Sequence, residues 1–278
     1  MTNNLLKGKK GIIFGALDEK SIAWKTALKC YEEGAQLVLS NAPVALRMGE
    51  INKLAKECGD APVIGADVTN MEDLKNLFEK AMVHFGGKID FILHSIGMGI
   101  NVRKGKGYTE LNYEWYQKTL DISAASLHRV LRTAWDLDAI SEGGSIIALT
   151  YIAAQRVFPD YSEMADAKSL LESITRTFGY YYGERRKVRV NTISQSPTKT
   201  TAGSGVKGFD GFISYADKMS PLGNASAEDC ANYIAVMFSD LTRMVTMQNL
   251  FHDGGFSFTG VSPAVIEAME VAGTAKEA

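Results

Sequence analysis

Apolar and polar positions along this chain fall into blocks whose period switches regularly. Lys10–Phe14, Gln36–Ser40, 62–66, Ile89–His94, 145–149, 188–193 and 244–251 are short, near-continuously apolar runs, and they predict strands buried on both faces. Between them the apolar residues recur at helical spacing. The clearest case carries Ile22, Trp24, Ala27, Leu28 and Tyr31 from a start at Ser21 to a stop at Gly34. Further helices are predicted over 43–58, Met71–Phe85, 113–137 and Ala227–Phe238. Another is predicted after Pro159, where Asp160 and Glu163 have capping-box spacing and Met164, Ala167, Leu171, Ile174 and Phe178 form an apolar stripe. Strand and helix alternate throughout, which predicts an α/β fold: one doubly wound parallel sheet of about seven strands. No linker, repeat or low-complexity tract interrupts the pattern, so residues 1–278 are expected to form a single domain.

A Rossmann-like sheet holds its ligand beyond the carboxyl ends of its strands, so the breaks there are where chemistry is expected. Gly15 ends the first strand and allows a tight turn, and Ser21 can cap the helix that follows, with Ile22 in its first turn. No glycine lies between Gly15 and that helix, so this is either a cofactor loop or an ordinary strand–helix turn. The second strand ends in Ser40-Asn41-Ala42-Pro43, with no carboxylate for a ribose 2′-hydroxyl and no adjacent base for a 2′-phosphate. The nearest cation, Arg47, is displaced along the helix, which favours NADH over NADPH and leaves NADP possible. Asp67-Val68 can contact adenine, or Asp67 can cap a helix. His94-Ser95-Ile96-Gly97 brings backbone close to a ligand, with His94 read as a satisfied, partly buried side chain.

The stretch 149–168 is where the polar groups concentrate. Tyr151 follows a buried strand, Tyr161 is expected in the first turn of the next helix, and Lys168 lies seven residues on. Two turns of helix rise roughly 10 Å, too far for a direct Tyr–Lys contact but suited to bracketing one elongated ligand. A neutral phenol can donate to an oxygen that becomes negative, and an ammonium nearby favours that charge. Taken alone, the pair reads more readily as a boundary aromatic and a solvated charge. After the sixth strand, residues 195–212 combine hydroxyls and glycines with apolar Val206, Phe209 and Phe212. Such a loop is either a lid, placed at about 197–220, or a surface excursion.

Composition narrows the function classes. A formal charge of −2 gives no electrostatic reason to expect nucleic acid or an anionic membrane. Cys30, Cys58 and Cys230 are far apart and read as reduced thiols, and His84, His94, His128 and His252 show no metal-ligand spacing, so no metal is expected. The polar, basic start has no apolar stretch behind it, which favours a cytoplasmic protein without a membrane span.

Together these features resemble the short-chain dehydrogenase/reductases and, within them, the bacterial enoyl-[acyl-carrier-protein] reductases, over roughly residues 5–260. The carriers are Gly15 with Ser21-Ile22-Ala23, Asp67-Val68, His94-Ser95-Ile96-Gly97, Tyr151 with Tyr161 and Lys168, and Val190-Asn191 before the lid. None of the eleven tyrosines has a lysine four positions on; Tyr161 and Lys168 have the Tyr-x6-Lys spacing of the enoyl reductases instead. The resemblance implies hydride transfer from a nicotinamide to C3 of a trans-2-enoyl thioester on acyl-carrier protein, in the fatty-acid elongation cycle. Tyr161 would hold the enolate oxygen, Lys168 the nicotinamide ribose, and Tyr151 would be an accessory donor or wall. It further implies cofactor contacts at Gly15, Ser21, Ile22, Ala42, Asp67, Val68, Ser95, Ile96, Gly97, Pro197, Thr198, Lys199, Thr200, Thr201 and Ala202. Substrate contacts would come from Gly99, Met164 and Val206 beside the two tyrosines. A homotetramer is implied, and a basic rim for the acidic carrier at Arg103, Lys104, Lys106, Lys199 and Lys207. Ser196 departs from the family's usual glycine. A carbonyl-reducing relative is disfavoured by the absent Tyr-x3-Lys, and a nucleotide sensor without chemistry by the retained tyrosines and lysine.

Overall fold

The computed structural model describes residues 3–200 and 209–277. Six strands, β1 (Lys10–Phe14), β2 (Gln36–Ser40), β3 (Ile89–His94), β4 (Ile140–Thr150), β5 (Arg189–Gln195) and β6 (Asn249–His252), pair in parallel in the order β2-β1-β3-β4-β5-β6. In β1, Ile12 and Phe14 point to one face and Ile13 to the other, the period of two that lets one strand feed two cores. Helices α4 (Met71–Phe85), α7 (Ser126–Asp136) and α8 (Met164–Arg186) cover the first face. Helices α1 (Ile22–Glu32), α3 (Ile51–Glu57) and α10 (Ala227–Phe238) cover the second, where Phe91 stacks on Phe238 at 4.4 Å between ring centroids.

Several expectations shift in ways that have local causes. Segment 62–66 runs beside β2 but forms only an isolated bridge, Val63 with Leu39, so the sheet has six strands rather than seven among the described residues. Pro62 lacks an amide hydrogen and can only accept, here from Leu39 N at 2.9 Å. The helix expected over 43–58 is broken into α2 (Pro43–Met48) and α3, because Glu50 N leaves the helical ladder to donate to Leu17 O at 2.9 Å. The last strand is shorter than expected: Met247 adopts a left-handed φ of 62°, which ends extended pairing on its amino-terminal side. The 113–137 helix is α6 (Tyr113–Leu120), a π-helical turn at Asp121–Ala125, and α7. Asn70 rather than Asp67 caps α4, accepting from Glu72 N and Asp73 N. Helices α5 (Ile100–Arg103), α9 (Phe209–Met219) and α11 (Pro263–Glu277) complete the chain. Among the described residues no helix is long and apolar enough to cross a membrane.

The strand order reverses between β1 and β3: β2 leaves β1 on one side and β3 pairs on the other. A crevice opens at such a switch point. Gly15 sits there with φ 94°, and a Cβ on it would lie 2.0 Å from Ser95 O, so the exits of β1 and β3 approach with no room for a side chain.

Candidate active site

The crevice continues into a cleft of about 1310 Å³ that runs across the carboxyl ends of the strands. Its walls include Gly15, Ser21, Ile22, Ala42, Asp67, Val68, Ser95, Ile96, Gly97, Gly99, Tyr151, Tyr161, Met164, Lys168, Pro197, Thr198 and Thr200. Residues drawn from positions nearly two hundred apart in sequence are thus brought to one cavity. Lys199 is absent from this lining and instead pairs with Asp210 at 2.7 Å, both side chains exposed. Thr201, Ala202, Val206 and Lys207 lie outside the described residues.

At one end the walls are small and locally satisfied. Ser21 Oγ accepts from Trp24 N and donates to Asp18 O, so α1 is capped as its sequence predicts. Asn41 Nδ2 donates to Ala16 O, and Asn41 Oδ1 accepts from Ala42 N. Val44 and Ala45 continue this wall, whereas Arg47 does not reach it. Asp67 Oδ1 accepts from Thr69 N and Thr69 Oγ1, a turn that presents Val68 to the cleft. A glycine floor, a capped helix start and small residues beyond it fit a pyrophosphate with an adenosine on one side, without a cation for a further phosphate.

The other end is built from buried, water-stripped groups. Tyr161 lies in a single 3-10 turn, Pro159–Tyr161, ahead of the helix rather than in its first turn. Ser162 then takes φ 48° and ψ −137°, and α8 begins only at Met164. The helix does not start where the Asp160–Glu163 spacing predicts: Glu163 itself stands at the N-cap, makes no side-chain cap and turns its carboxylate inward. Lys168, 7% exposed, lies in α8 and donates from Nζ to Leu149 O at 2.8 Å. Burial lowers its pKa to about 8, partly offset by the Glu172 carboxylate one turn on. Burial also pushes the Tyr161 phenol well above its ordinary range, so it stays protonated as a donor. The Tyr151 phenol is raised too, first by burial and then by Tyr161 and Asp253, and its hydroxyl has no hydrogen-bond partner among the described residues. The two tyrosine rings tilt against each other at 5.1 Å.

The chain belongs to the enoyl-(acyl carrier protein) reductase family. That family's model matches residues 15–257. An NADH enoyl-[acyl-carrier-protein] reductase of Rhizobium meliloti is 34% identical over 272 residues, 97% of this chain and 98% of that protein. The solved FabI–NADH complex of Alistipes finegoldii is 60% identical with a TM-score of 0.93, covering 94% of this chain and 92% of that one. The corresponding reductase of Aquifex aeolicus is 32% identical with a TM-score of 0.85, over 92% and 99% of the two chains.

Sequence reasoning missed several residues of this family member's cleft. Phe158 packs on Tyr151 beside Phe212 of the expected lid, and Tyr215 and Phe256 extend this cluster through Phe212, with Phe158–Phe212 at 5.4 Å and Phe212–Phe256 at 6.2 Å. Their signal was faint, because Phe256 arrives through a turn pinned by Asp253, which accepts from Gly255 N and Ser257 N. Of the basic rim, Arg103 lines the cleft, joined by Lys118 and Arg156, which had no motif to mark them. Ser196, in place of the usual glycine, uses its hydroxyl to accept from Ala225 N at 3.1 Å. His94 is wholly rather than partly buried. Ser126 Oγ donates to Ile122 O, so the His94 Nε2–H donates to Ser126, which leaves Nδ1 as an acceptor without a partner among the described residues. Burial, then the Lys168 charge, brings the His94 pKa down to about 3.

Proposed function

We propose that this protein reduces the C2–C3 double bond of trans-2-enoyl groups carried on acyl-carrier protein, with NADH, as a step of fatty-acid elongation. The observation that carries this reading is that Tyr161 and Lys168 open onto one cleft, the first a phenol held neutral by burial and the second a buried amine. Bound reduced nicotinamide supplies the hydride that C3 receives. Tyr161 then donates a hydrogen bond to the thioester oxygen as negative charge gathers there, in a site too dry to screen it, until C2 takes up a proton and the enolate returns to a saturated thioester. Lys168 binds ribose hydroxyls and keeps the local field positive while the oxyanion forms. Its bond to Leu149 O fixes the amine in that position. Tyr151 forms the wall against which the acyl group packs, and its free hydroxyl is available to a polar atom of the substrate.

Gly15, Ser21, Ile22, Ala42, Asp67, Val68, Ser95, Ile96 and Gly97 would hold the cofactor, with Pro197, Thr198 and Thr200 near its nicotinamide end. Lys199, tied up with Asp210, is the weakest member of that set. Gly99 and Met164 would face the acyl chain, and helix α9 would cover it through Phe212. Absence of a cation along 41–45 supports NADH over NADPH. A basic rim of Arg103, Lys118 and Arg156 suits an acidic carrier, and exposed Tyr180 and Tyr181 on α8 suit burial between subunits of a homotetramer in the cytoplasm. One catalytic domain over 1–278 completes the proposal. Mixing the protein with NADH and a crotonyl thioester of acyl-carrier protein should oxidise the NADH; absorbance that stays constant would overturn the reading. Light scattering at four times the subunit mass tests the assembly.

A further inference from the structure

Glu163 belongs to none of these roles, yet it is wholly buried beside the cleft. Its Oε1 accepts from Asn101 N at 2.8 Å and from Thr119 Oγ1 at 3.1 Å. Its Oε2 is buried with no partner among the described residues. Leaving half of a buried carboxylate unmatched is unfavourable, so the inward turn needs a local cause and a purpose. The cause is Ser162, whose left-handed φ swings Glu163 away from solvent between Tyr161 and Met164. The purpose is legible in what the carboxylate grips.

Asn101 belongs to α5, the turn that carries Gly99, Val102 and Arg103 along the wall facing Met164. Thr119 Oγ1 accepts from Ile100 N at 3.2 Å while donating to Glu163, so two consecutive amides of this wall are tied to one buried oxygen directly or through one hydroxyl. The wall meets Met164 without slack. A Cβ on Gly99 would lie 2.7 Å from Met164 Cγ and 2.5 Å from Val102 Cγ1. Glu163 therefore joins the turn bearing Tyr161 to the opposite wall of the substrate end.

We propose that Glu163 is a positioning residue that sets the width of the acyl end of the cleft and, through it, the preference among acyl chain lengths. The inference rests on the reductase reading above. A short acyl group contributes little burial of its own and depends on a wall already in place. Each added buried methylene contributes separately, so a long chain re-seats a loosened wall as it binds.

The test compares wild type, Glu163→Leu, Glu163→Gln and Thr119→Val with crotonyl and dodecenoyl thioesters of acyl-carrier protein, alongside NADH affinity and thermal midpoint. Loss of charge-assisted bonds in Glu163→Leu should lower kcat/KM for the crotonyl substrate about tenfold, mostly through KM. The dodecenoyl value should change far less and NADH affinity should not move. Glu163→Gln keeps an oxygen for both donors and should hold the wild-type ratio of the two substrates. Thr119→Val should shift that ratio in the direction of Glu163→Leu by a smaller factor, and it decides the matter where Glu163→Leu does not fold. Equal losses for both substrates, an unchanged ratio in Thr119→Val, or Glu163→Gln behaving like Glu163→Leu would each overturn the inference. A wild type that oxidises NADH with neither thioester removes the reductase reading instead.

Discussion

The two ends of the cleft are built on opposite principles. At the end bounded by Asn41, Ala42, Asp67 and Val68, side chains are small or satisfy one another, and recognition falls to backbone and shape. At the end bounded by Tyr151, Tyr161, Met164 and Lys168, titratable groups are removed from water, their proton affinities shifted, and one hydroxyl has no partner among the described residues. A site that must only bind can be made of completed hydrogen bonds. A site that must meet a charge present for an instant keeps donors in reserve, and the fold bears the cost of burying them.

The contrast predicts that the two phenols act on rate, Lys168 on rate and cofactor affinity together, and the other end on affinity and selectivity alone. The largest effect is expected for Tyr161→Phe, which removes one donor to the oxyanion and should lower kcat about a hundredfold, roughly 3 kcal/mol, with NADH affinity unchanged. Wild-type turnover in that variant would erase the contrast. Lys168→Ala should weaken both NADH binding and rate, each by about tenfold or more. Since its folded pKa is depressed to about 8, the free enzyme carries this charge below pH 8 and loses it above. NADH affinity should accordingly fall as pH rises through 8, and a flat titration to pH 9.5 would remove the ammonium from cofactor binding. Ala42→Arg should raise the NADPH-to-NADH ratio of kcat/KM about tenfold by supplying the missing cation. A change in kcat alone would blur the two ends into one. Smallest is the effect expected for Tyr151→Phe, which deletes a buried hydroxyl that has no partner among the described residues. Thermal stability should hold or rise by about 1 kcal/mol in unfolding free energy, and the rate should fall only severalfold.

Stability in acid follows from a residue behind the phenolic end. His94 is buried neutral, with its pKa near 3 against 6.5 for the exposed side chain. A depressed folded value means the unfolded chain takes up the proton first, so this contribution is complete above about pH 6.5 and is lost as pH falls toward 3. Urea unfolding of wild type and His94→Gln across that range should show a shallower acid slope in the variant.

Much of this arrangement was legible in the sequence because it depends on local pattern. The strands over Lys10–Phe14, Gln36–Ser40 and Ile89–His94 and the helix over Met71–Phe85 coincide with the apolar runs that predicted them. Gly15, Lys168 and the tyrosines were visible as strand-end breaks and a spacing. What stayed hidden depended on tertiary demands. The Asp160–Glu163 spacing met the rule for a helix start, but the chain used Ser162 to send Glu163 across the cleft instead. Segment 62–66 had strand composition, yet Pro62 at the sheet edge limited it to one bridge. Phe158, Phe212 and Phe256 come from three loops or helices whose convergence no single stretch records.

The π-helical turn at Asp121–Ala125 has an evolutionary corollary. It is one residue of surplus inside an otherwise continuous rod, and it aims Ser123 at Met98, whose amide donates to that hydroxyl at 2.8 Å. Deleting one of those five residues would restore ordinary helical pitch with α6 and α7 still in register, but it would remove the wide turn that aims Ser123. Ser123 would then leave Met98, while Ser126 at the start of α7 would keep His94. Lineages descending from this chain should therefore tolerate length changes in the surface loops while keeping the surplus residue of the 121–125 turn.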